Sequence, residues 1–242
     1  MTELTTIGLL GGMSWQSSAV YYRELNERVQ QRRGGHTSAP LLLFSVDFAE
    51  IEALQRAGDW VAQGFILAEA AARLEAAGAG AIALATNTLH LVADQITARL
   101  SVPFIDLVDV TTAAVTERAF TTVGLLATAY TMSSELYPAR LAQHGVAMLL
   151  PDEAGGAEVQ RIIYDELLKG VVTDDSRTAL LELIEDMRAQ GAQAVLLGCT
   201  ELAMLLGDGD GPLPLLDTTT LHCAALTEVI VNGAPVPAAS RS

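Results

Sequence analysis

Two short segments bring together residue types that can move a proton: Thr86-Asn87-Thr88-Leu89-His90 and Cys199-Thr200-Glu201-Leu202. Each follows a short aliphatic run, Ala81-Ile82-Ala83-Leu84 in one case and Ala194-Val195-Leu196-Leu197 in the other. Each is therefore expected where a strand ends and a helix begins. Free backbone N–H groups and the helix dipole at such a place favour an anion, so a carboxylate can be held without a lysine. A thiol there is expected to ionise more readily than usual, making Cys199 a candidate base as thiolate and acid as thiol. Ordinary N-capping accounts for one Thr or Asn at a helix start. It does not account for a cysteine at the matching place. Cys223 lies in an Ala/Leu-rich stretch and reads as core packing.

Two further post-strand segments accompany these. Gly11-Gly12-Met13-Ser14-Trp15 opens a helix; its glycines let the backbone approach a ligand, and Ser14 can cap the helix. It lacks the G-x-G-x-x-G spacing and the lysine of nucleotide-binding loops, and a tight turn alone explains the glycines. Ser45-Val46-Asp47-Phe48 leads into Ile51-Glu52-Ala53-Leu54-Gln55-Arg56. Gln55 is a candidate substrate contact there, with solvated helix decoration as the alternative. His90, one turn beyond Thr86, is either a proton relay or a surface or capping histidine. Arg56, Lys169 and backbone amides are the available donors for a second carboxylate. No metal site is expected.

The elements that must position these residues follow from the hydrophobic pattern. The chain has 242 residues, half of them hydrophobic, enough for one large domain or two small ones. Aliphatic runs alternate with Ala-, Glu- and Arg-rich segments of helical period, which implies βαβ units and parallel sheets. Strands are expected at 5–11, 40–46, 80–85, 103–107, 121–127, 146–150, 193–198 and 213–216. Helices are expected at 15–33, 59–77, 88–99, 109–118, 131–143, 155–169, 174–190 and 218–231. Thr6-Ile7-Gly8-Leu9-Leu10 resembles Thr122-Val123-Gly124-Leu125-Leu126, and Val102-Pro103-Phe104-Ile105-Asp106 resembles Leu213-Pro214-Leu215-Leu216-Asp217. Gly80-Ala81-Ile82-Ala83-Leu84-Ala85-Thr86 likewise echoes Gln193-Ala194-Val195-Leu196-Leu197-Gly198-Cys199. Three echoes in the same order predict a duplicated α/β unit: two pseudo-symmetric Rossmann-like lobes with parallel-type sheets and a cleft between them. The first lobe is expected at 1–112 plus 217–242, and the second at 113–216. Ligands of open α/β sheets sit beyond the carboxyl ends of the strands, where all four segments fall.

Composition excludes several classes. The formal net charge is −15 and no basic stripe is present, which argues against nucleic acid. Long-range steering of an anionic substrate would be repulsive, so any anion site must be local. No apolar run approaches the roughly 18 residues of a membrane span. Met1-Thr2-Glu3-Leu4 lacks the basic start of a signal peptide, and two free thiols suit a reducing compartment. A cytoplasmic location and no membrane or nucleic-acid partner are the expectation.

Taken together, Ile7-Gly8-Leu9-Leu10-Gly11-Gly12-Met13-Ser14-Trp15, Ser45-Val46-Asp47-Phe48, Thr86-Asn87-Thr88-Leu89-His90 and Gly198-Cys199-Thr200-Glu201-Leu202 resemble the aspartate/glutamate racemase family over almost the whole chain. The resemblance implies a PLP-independent enzyme needing no cofactor, a small anionic amino-acid substrate, a homodimer, and two lobes that each supply one catalytic cysteine. Here Cys199 matches the second cysteine while Thr86 stands in place of the first. A threonine–cysteine pair and a Gly-Gly-Met-Ser-Trp start are similar to the bacterial L-aspartate/glutamate-specific racemases. By that resemblance Thr86 and Cys199 are catalytic, and Met13, Gln55, Thr86, Asn87, Thr88, Thr200 and Glu201 fall at substrate-contacting positions, joined by Ser14.

Racemisation takes the Cα proton from one face and returns one to the other, through a carbanion spread into the α-carboxylate. Donors aimed at that carboxylate stabilise the developing charge, and Asn87, Thr88 and Thr200 could supply them. An alcohol is far less acidic than a thiol, so Thr86 could donate to a basic carbanion or relay a proton from water. The alternatives are a broad-specificity amino-acid or hydantoin racemase, a one-cysteine decarboxylase of the same fold, and a non-catalytic small-carboxylate binding protein.

Overall fold

The computed structural model describes residues 3–207 and 209–233. In the first half of the chain, β1 (Ile7–Gly11), α1 (Trp15–Arg33), β2 (Leu41–Ser45), α2 (Phe48–Arg56), α3 (Trp60–Ala76) and β3 (Ala81–Leu84) come in turn. A 3-10 turn (Thr88–Val92), α4 (Ala93–Thr97), β4 (Phe104–Ile105) and α5 (Leu107–Glu117) complete it. The second half begins with β5 (Thr122–Leu126), α6 (Ala129–Met132), α7 (Leu136–Ala142), β6 (Ala147–Leu149) and α8 (Glu153–Arg161). A π turn (Ile162–Glu166) and a 3-10 turn (Leu167–Lys169) lead to α9 (Asp174–Ala189) and β7 (Ala194–Leu197). Another 3-10 turn (Thr200–Met204), β8 (Leu215–Asp217) and α10 (Thr218–Asn232) follow. No helix among the described residues is long and apolar enough to cross a membrane.

The strands form two four-stranded parallel sheets of identical order, β2-β1-β3-β4 and β6-β5-β7-β8. The chain divides into two compact units, the first running to Val110 and resuming at Thr219, the second being Thr111–Thr218. Within the first unit, period-two alternation sends side chains to two cores. Ile7, Leu9, Ala81 and Ala83 pack with Tyr21, Leu25 and Val29 of α1 and with Cys223, Leu226 and Ile230 of α10. Leu10, Ile82 and Leu84 turn to the other face, against Ile51 of α2 and Leu67, Ala71 and Leu74 of α3. The β1 and β3 strands are buried on both faces, which is why they read as continuous aliphatic runs.

Gly8 and its repeat partner Gly124 let helices lie close. A Cβ on Gly8 would stand 2.6 Å from Ile82 Cδ1 and 3.0 Å from Leu74 Cβ, and one on Gly124 would stand 2.4 Å from Met187 Sδ.

All eight expected strands are present, their ends trimmed or shifted by at most two residues. The helices differ more. Residues 48–56, left without an element above, form α2, whose start Asp47 caps by accepting from the Ala49 amide (3.0 Å). The single helix expected over 131–143 is broken between Met132 and Leu136, where Ser134 Oγ accepts from the Leu136 amide. The one over 155–169 starts earlier, at Glu153, and loosens into the π turn before Gly170 ends it at φ 75°. The one over 88–99 opens as a 3-10 turn.

Candidate active site

Three of the four post-strand segments meet in the first unit because the sheet register sets them level. Gly11 pairs with Ser45, and Leu10 with Leu84, so β1, β2 and β3 all end together. The loops after β1 and β2 touch: the Val46 amide donates to the Gly11 carbonyl (3.0 Å). Gly12, at φ 96°, leaves no room for a side chain, since a Cβ there would lie 2.3 Å from the Val46 carbonyl oxygen. Here the glycine is required by close approach and by a positive φ together.

Ser14 caps α1, its Oγ accepting from the Ser17 amide (3.2 Å). Ser18 Oγ donates to the Ser14 carbonyl (3.0 Å) and accepts from the Gly12 amide (2.8 Å), stiffening the turn. Met13 is buried in the apolar cluster with Leu10, Ile51, Leu84 and Leu89. Gln55 lies on the buried face of α2, one turn after Ile51, so it is not solvated decoration. Arg56 faces outward in an ion pair with Glu52 (3.6 Å).

Thr86 follows β3 by two residues and is half-buried, with Asn87 buried and Thr88 half-buried. Asn87 stands at the start of the 3-10 turn without a side-chain capping bond, so plain N-capping does not explain this motif. His90 corrects the relay and the surface reading given to it above, and bears out the capping one at α5. It is buried, and both ring nitrogens are engaged: Nδ1 with the Thr86 carbonyl (2.8 Å) and Nε2 with the Leu107 amide (3.2 Å). It neither faces solvent nor reaches the Thr86 hydroxyl.

In the second unit, Cys199 follows β7 by two residues, as Thr86 follows β3. The matching places are framed by matching registers, Leu10 with Leu84 and Leu126 with Leu197. Cys199 is buried, and its Sγ donates to Glu201 Oε2 (3.1 Å). Thr200 and Glu201 are buried beside it. Lys169 is exposed and paired with Asp165 (3.4 Å).

The expected easy ionisation of Cys199 is overturned. Burial, then the negative charge of Glu201, hold the thiol well above the usual thiol range. The helix that was to lower it is a five-residue 3-10 turn, too short for a strong macrodipole. Free Cys199 therefore carries its proton and offers it to Glu201.

Some site features were not read from the sequence. Asp106 is buried and caps α5, its Oδ1 accepting from the Val108 (2.8 Å) and Asp109 (3.2 Å) amides. Buried His222 bonds through Nδ1 to Tyr21 Oη (2.8 Å) and through Nε2 to the Ile105 carbonyl (2.9 Å). The Asp106–Asp217 echo was a usable signal for the first; a lone histidine in an apolar helix offered none for the second.

Comparison with known proteins places this geometry. A family model described as Asp/Glu/hydantoin racemase matches residues 10–226. A crystal structure from Yersinia pestis, solved as a candidate Asp/Glu racemase, is 40% identical, covers 95% of this chain and 100% of its own, and superposes with a TM-score of 0.89. An aspartate racemase homologue from Pyrococcus horikoshii is 30% identical over 94% of this chain and 99% of its own, at 0.82. The aspartate racemase of Picrophilus torridus shares the fold at 20% identity, covering 95% of this chain and 94% of its own, at 0.72.

Proposed function

This chain belongs to the Asp/Glu/hydantoin racemase family, and from that premise we propose that it is a PLP-independent racemase interconverting L- and D-aspartate or glutamate. The observation that carries the reading is the equivalence of Thr86 and Cys199. Each stands two residues beyond the third strand of its own four-stranded parallel sheet, followed by small polar residues. In this reading the two side chains act on opposite faces of the substrate Cα, and a small anionic amino acid is the partner of a cytoplasmic homodimer.

The proton inventory fits. At rest Cys199 holds a proton aimed at Glu201. On the Cys199 face, deprotonation of Cα requires that proton to pass first to Glu201, leaving thiolate as the base. In the opposite direction the resting thiol protonates the carbanion, and the resulting thiolate regains a proton from solvent through Glu201. The proton taken from Cα on the Thr86 face passes through the Thr86 hydroxyl to solvent. On the Thr86 face the hydroxyl donates to the carbanion or relays a proton from water. The α-carboxylate takes up negative charge in the intermediate, and Asn87, Thr88 and Thr200 with their backbone amides are the donors assigned to it.

Metal- and PLP-free protein incubated in D2O with each enantiomer of aspartate and glutamate tests the reading, with chiral chromatography following inversion and proton NMR following loss of Cα–H. Inversion in the wild type that disappears in Cys199→Ser is the expected result. If only amino acids of other types or hydantoins react, the substrate assignment is wrong but the racemase remains. Ligand-dependent thermal stabilisation with no Cα–H loss from any of them would replace the enzyme by a binding protein.

A further inference from the structure

We propose that His90 is a positioning residue for Thr86: a neutral imidazole that ties the Thr86 backbone to the junction between β4 and α5, and that has no counterpart at Cys199. The inference rests on the racemase reading for the role of Thr86, and on hydrogen-bond geometry for everything else. The Leu107 amide can only donate, so Nε2 of His90 must accept from it (3.2 Å). The proton then sits on Nδ1, which donates to the Thr86 carbonyl (2.8 Å). The imidazole spans two backbone groups and uses both nitrogens in doing so.

The other end of the tie is itself held. Leu107 opens α5, where Asp106 Oδ1 accepts from the next two amides and His90 takes the first. Three donors at that helix start, which the helix cannot satisfy, are thus met. One residue before Asp106, the Ile105 carbonyl accepts from Nε2–H of His222 (2.9 Å), so Nδ1 of His222 accepts from Tyr21 Oη (2.8 Å). The two rings stand 6.3 Å apart, nearly perpendicular. Two neutral imidazoles therefore fix the Ile105–Leu107 backbone, and one of them carries the fixation to Thr86.

The second unit solves the same problem differently. The place equivalent to His90, four residues after Cys199, is Ala203, and the thiol hydrogen-bonds to Glu201. The Cys199 face has a charged proton acceptor, and the Thr86 face has a rigid backbone. A hydroxyl is a weak acid, so its placement against the carbanion is its lever on the rate. A misplacement of about 1 Å can cost on the order of 100-fold in rate.

The test compares wild type, His90→Leu, His90→Asn, His90→Gln and Thr86→Ala in D2O, with each enantiomer separately. Asn places an amide N–H near Nδ1 and keeps the bond to Thr86, whereas Gln reaches only toward the Leu107 amide. His90→Leu and His90→Gln should lower kcat for inversion roughly 100-fold with KM within about twofold. Like Thr86→Ala, they should keep Cα–H exchange from only one enantiomer, the one whose proton faces Cys199. His90→Asn should restore most of the activity. Equal loss of exchange from both enantiomers, or no loss, overturns the positioning role while leaving the racemase intact. A wild type inert toward every substrate removes the racemase reading and the role of His90 with it. Long-range 1H–15N correlation on the wild type reads the tautomer independently of how the variants fold. A neutral Nδ1–H ring at His90 is expected at pH 7, and an Nε2–H ring or an imidazolium overturns the tie.

Discussion

The Cys199 thiol donates to the Glu201 carboxylate across 3.1 Å in the second unit, where both side chains are buried. A proton shared this way belongs to sulfur while the site is free, because burial and the neighbouring negative charge both oppose a thiolate. Replacing Glu201 by Gln removes the charge and keeps the volume. At pH 7.5, alkylation of Cys199 by iodoacetamide, followed by peptide mass mapping, should become faster, because a neighbouring charge that opposes the thiolate is gone. Inversion should fall in the same protein, since the acceptor for the thiol proton is gone. Alkylation that stays slow in Glu201→Gln would show that the carboxylate does not govern the thiol.

The two cysteines should separate cleanly. Cys223 is fully buried on α10 among Ile7, Leu9 and Tyr21. Cys223→Ala should lower stability by about 1–2 kcal/mol in urea denaturation, the cost of a small cavity, with kcat for inversion unchanged. Cys199→Ser should do the opposite, leaving stability within about 1 kcal/mol while abolishing inversion.

Gly12 should tolerate no side chain. At φ 96° and with a Cβ 2.3 Å from the Val46 carbonyl oxygen, Gly12→Ala combines backbone strain with a backbone clash. A loss of roughly 3 kcal/mol is expected. Gly170, at φ 75° with nothing near its Cβ position, should cost only about 1 kcal/mol as Gly170→Ala. Similar losses at both positions would mean that the loops after β1 and β2 are not in close contact.

Acid should weaken the first unit through His222. Burial, then the neighbouring His90 ring, push its pKa from 6.5 down to about 3, against a partial opposing effect of the Ile105 carbonyl and Asp106. The unfolded chain binds a proton below pH 6.5 that the folded chain refuses. The stabilisation from a neutral His222 is therefore complete above pH 6.5 and declines as pH falls towards 3, by at most about 1.4 kcal/mol per pH unit. Urea midpoints between pH 7 and 4.5 should fall less steeply in His222→Gln than in the wild type. Parallel slopes would show that His222 is not the group responsible.

Much of the fold was legible because its signals are local. The runs Ile7–Leu10, Ala81–Leu84, Val123–Leu126 and Ala194–Leu197 are buried on both faces of parallel sheets, and such strands announce themselves as uninterrupted aliphatic stretches. The repeat was readable because the two sheets share one strand order, so equivalent positions meet equivalent neighbours. Helix α2 was missed because nine residues with Gln55 on the buried face weaken the apolar stripe. The breaks at Ser134 and at the π turn Ile162–Glu166 depend on bonds that no helical period reveals. In the latter, Glu166 takes hydrogen bonds from Arg161 (2.6 Å) and Ser176 (2.5 Å), the second a residue of the next helix.

The sequence by itself determined where the candidate residues stand in the fold: Thr86 and Cys199 after matching strands, with Asn87, Thr88, Thr200 and Glu201 beside them, and glycines where the chain must turn. Residue type and order along the chain are enough for that, since a strand ending and a polar loop are local events. Only the tertiary structure decided the protonation states. A helix start in isolation favours a thiolate, yet desolvation and Glu201 reverse the sign at Cys199. A histidine one turn from a hydroxyl reads as a relay, yet Leu107, brought alongside by the β3–β4 pairing, claims its second nitrogen. Charge and proton position depend on what surrounds a group in three dimensions, and those surroundings come from residues far away along the chain.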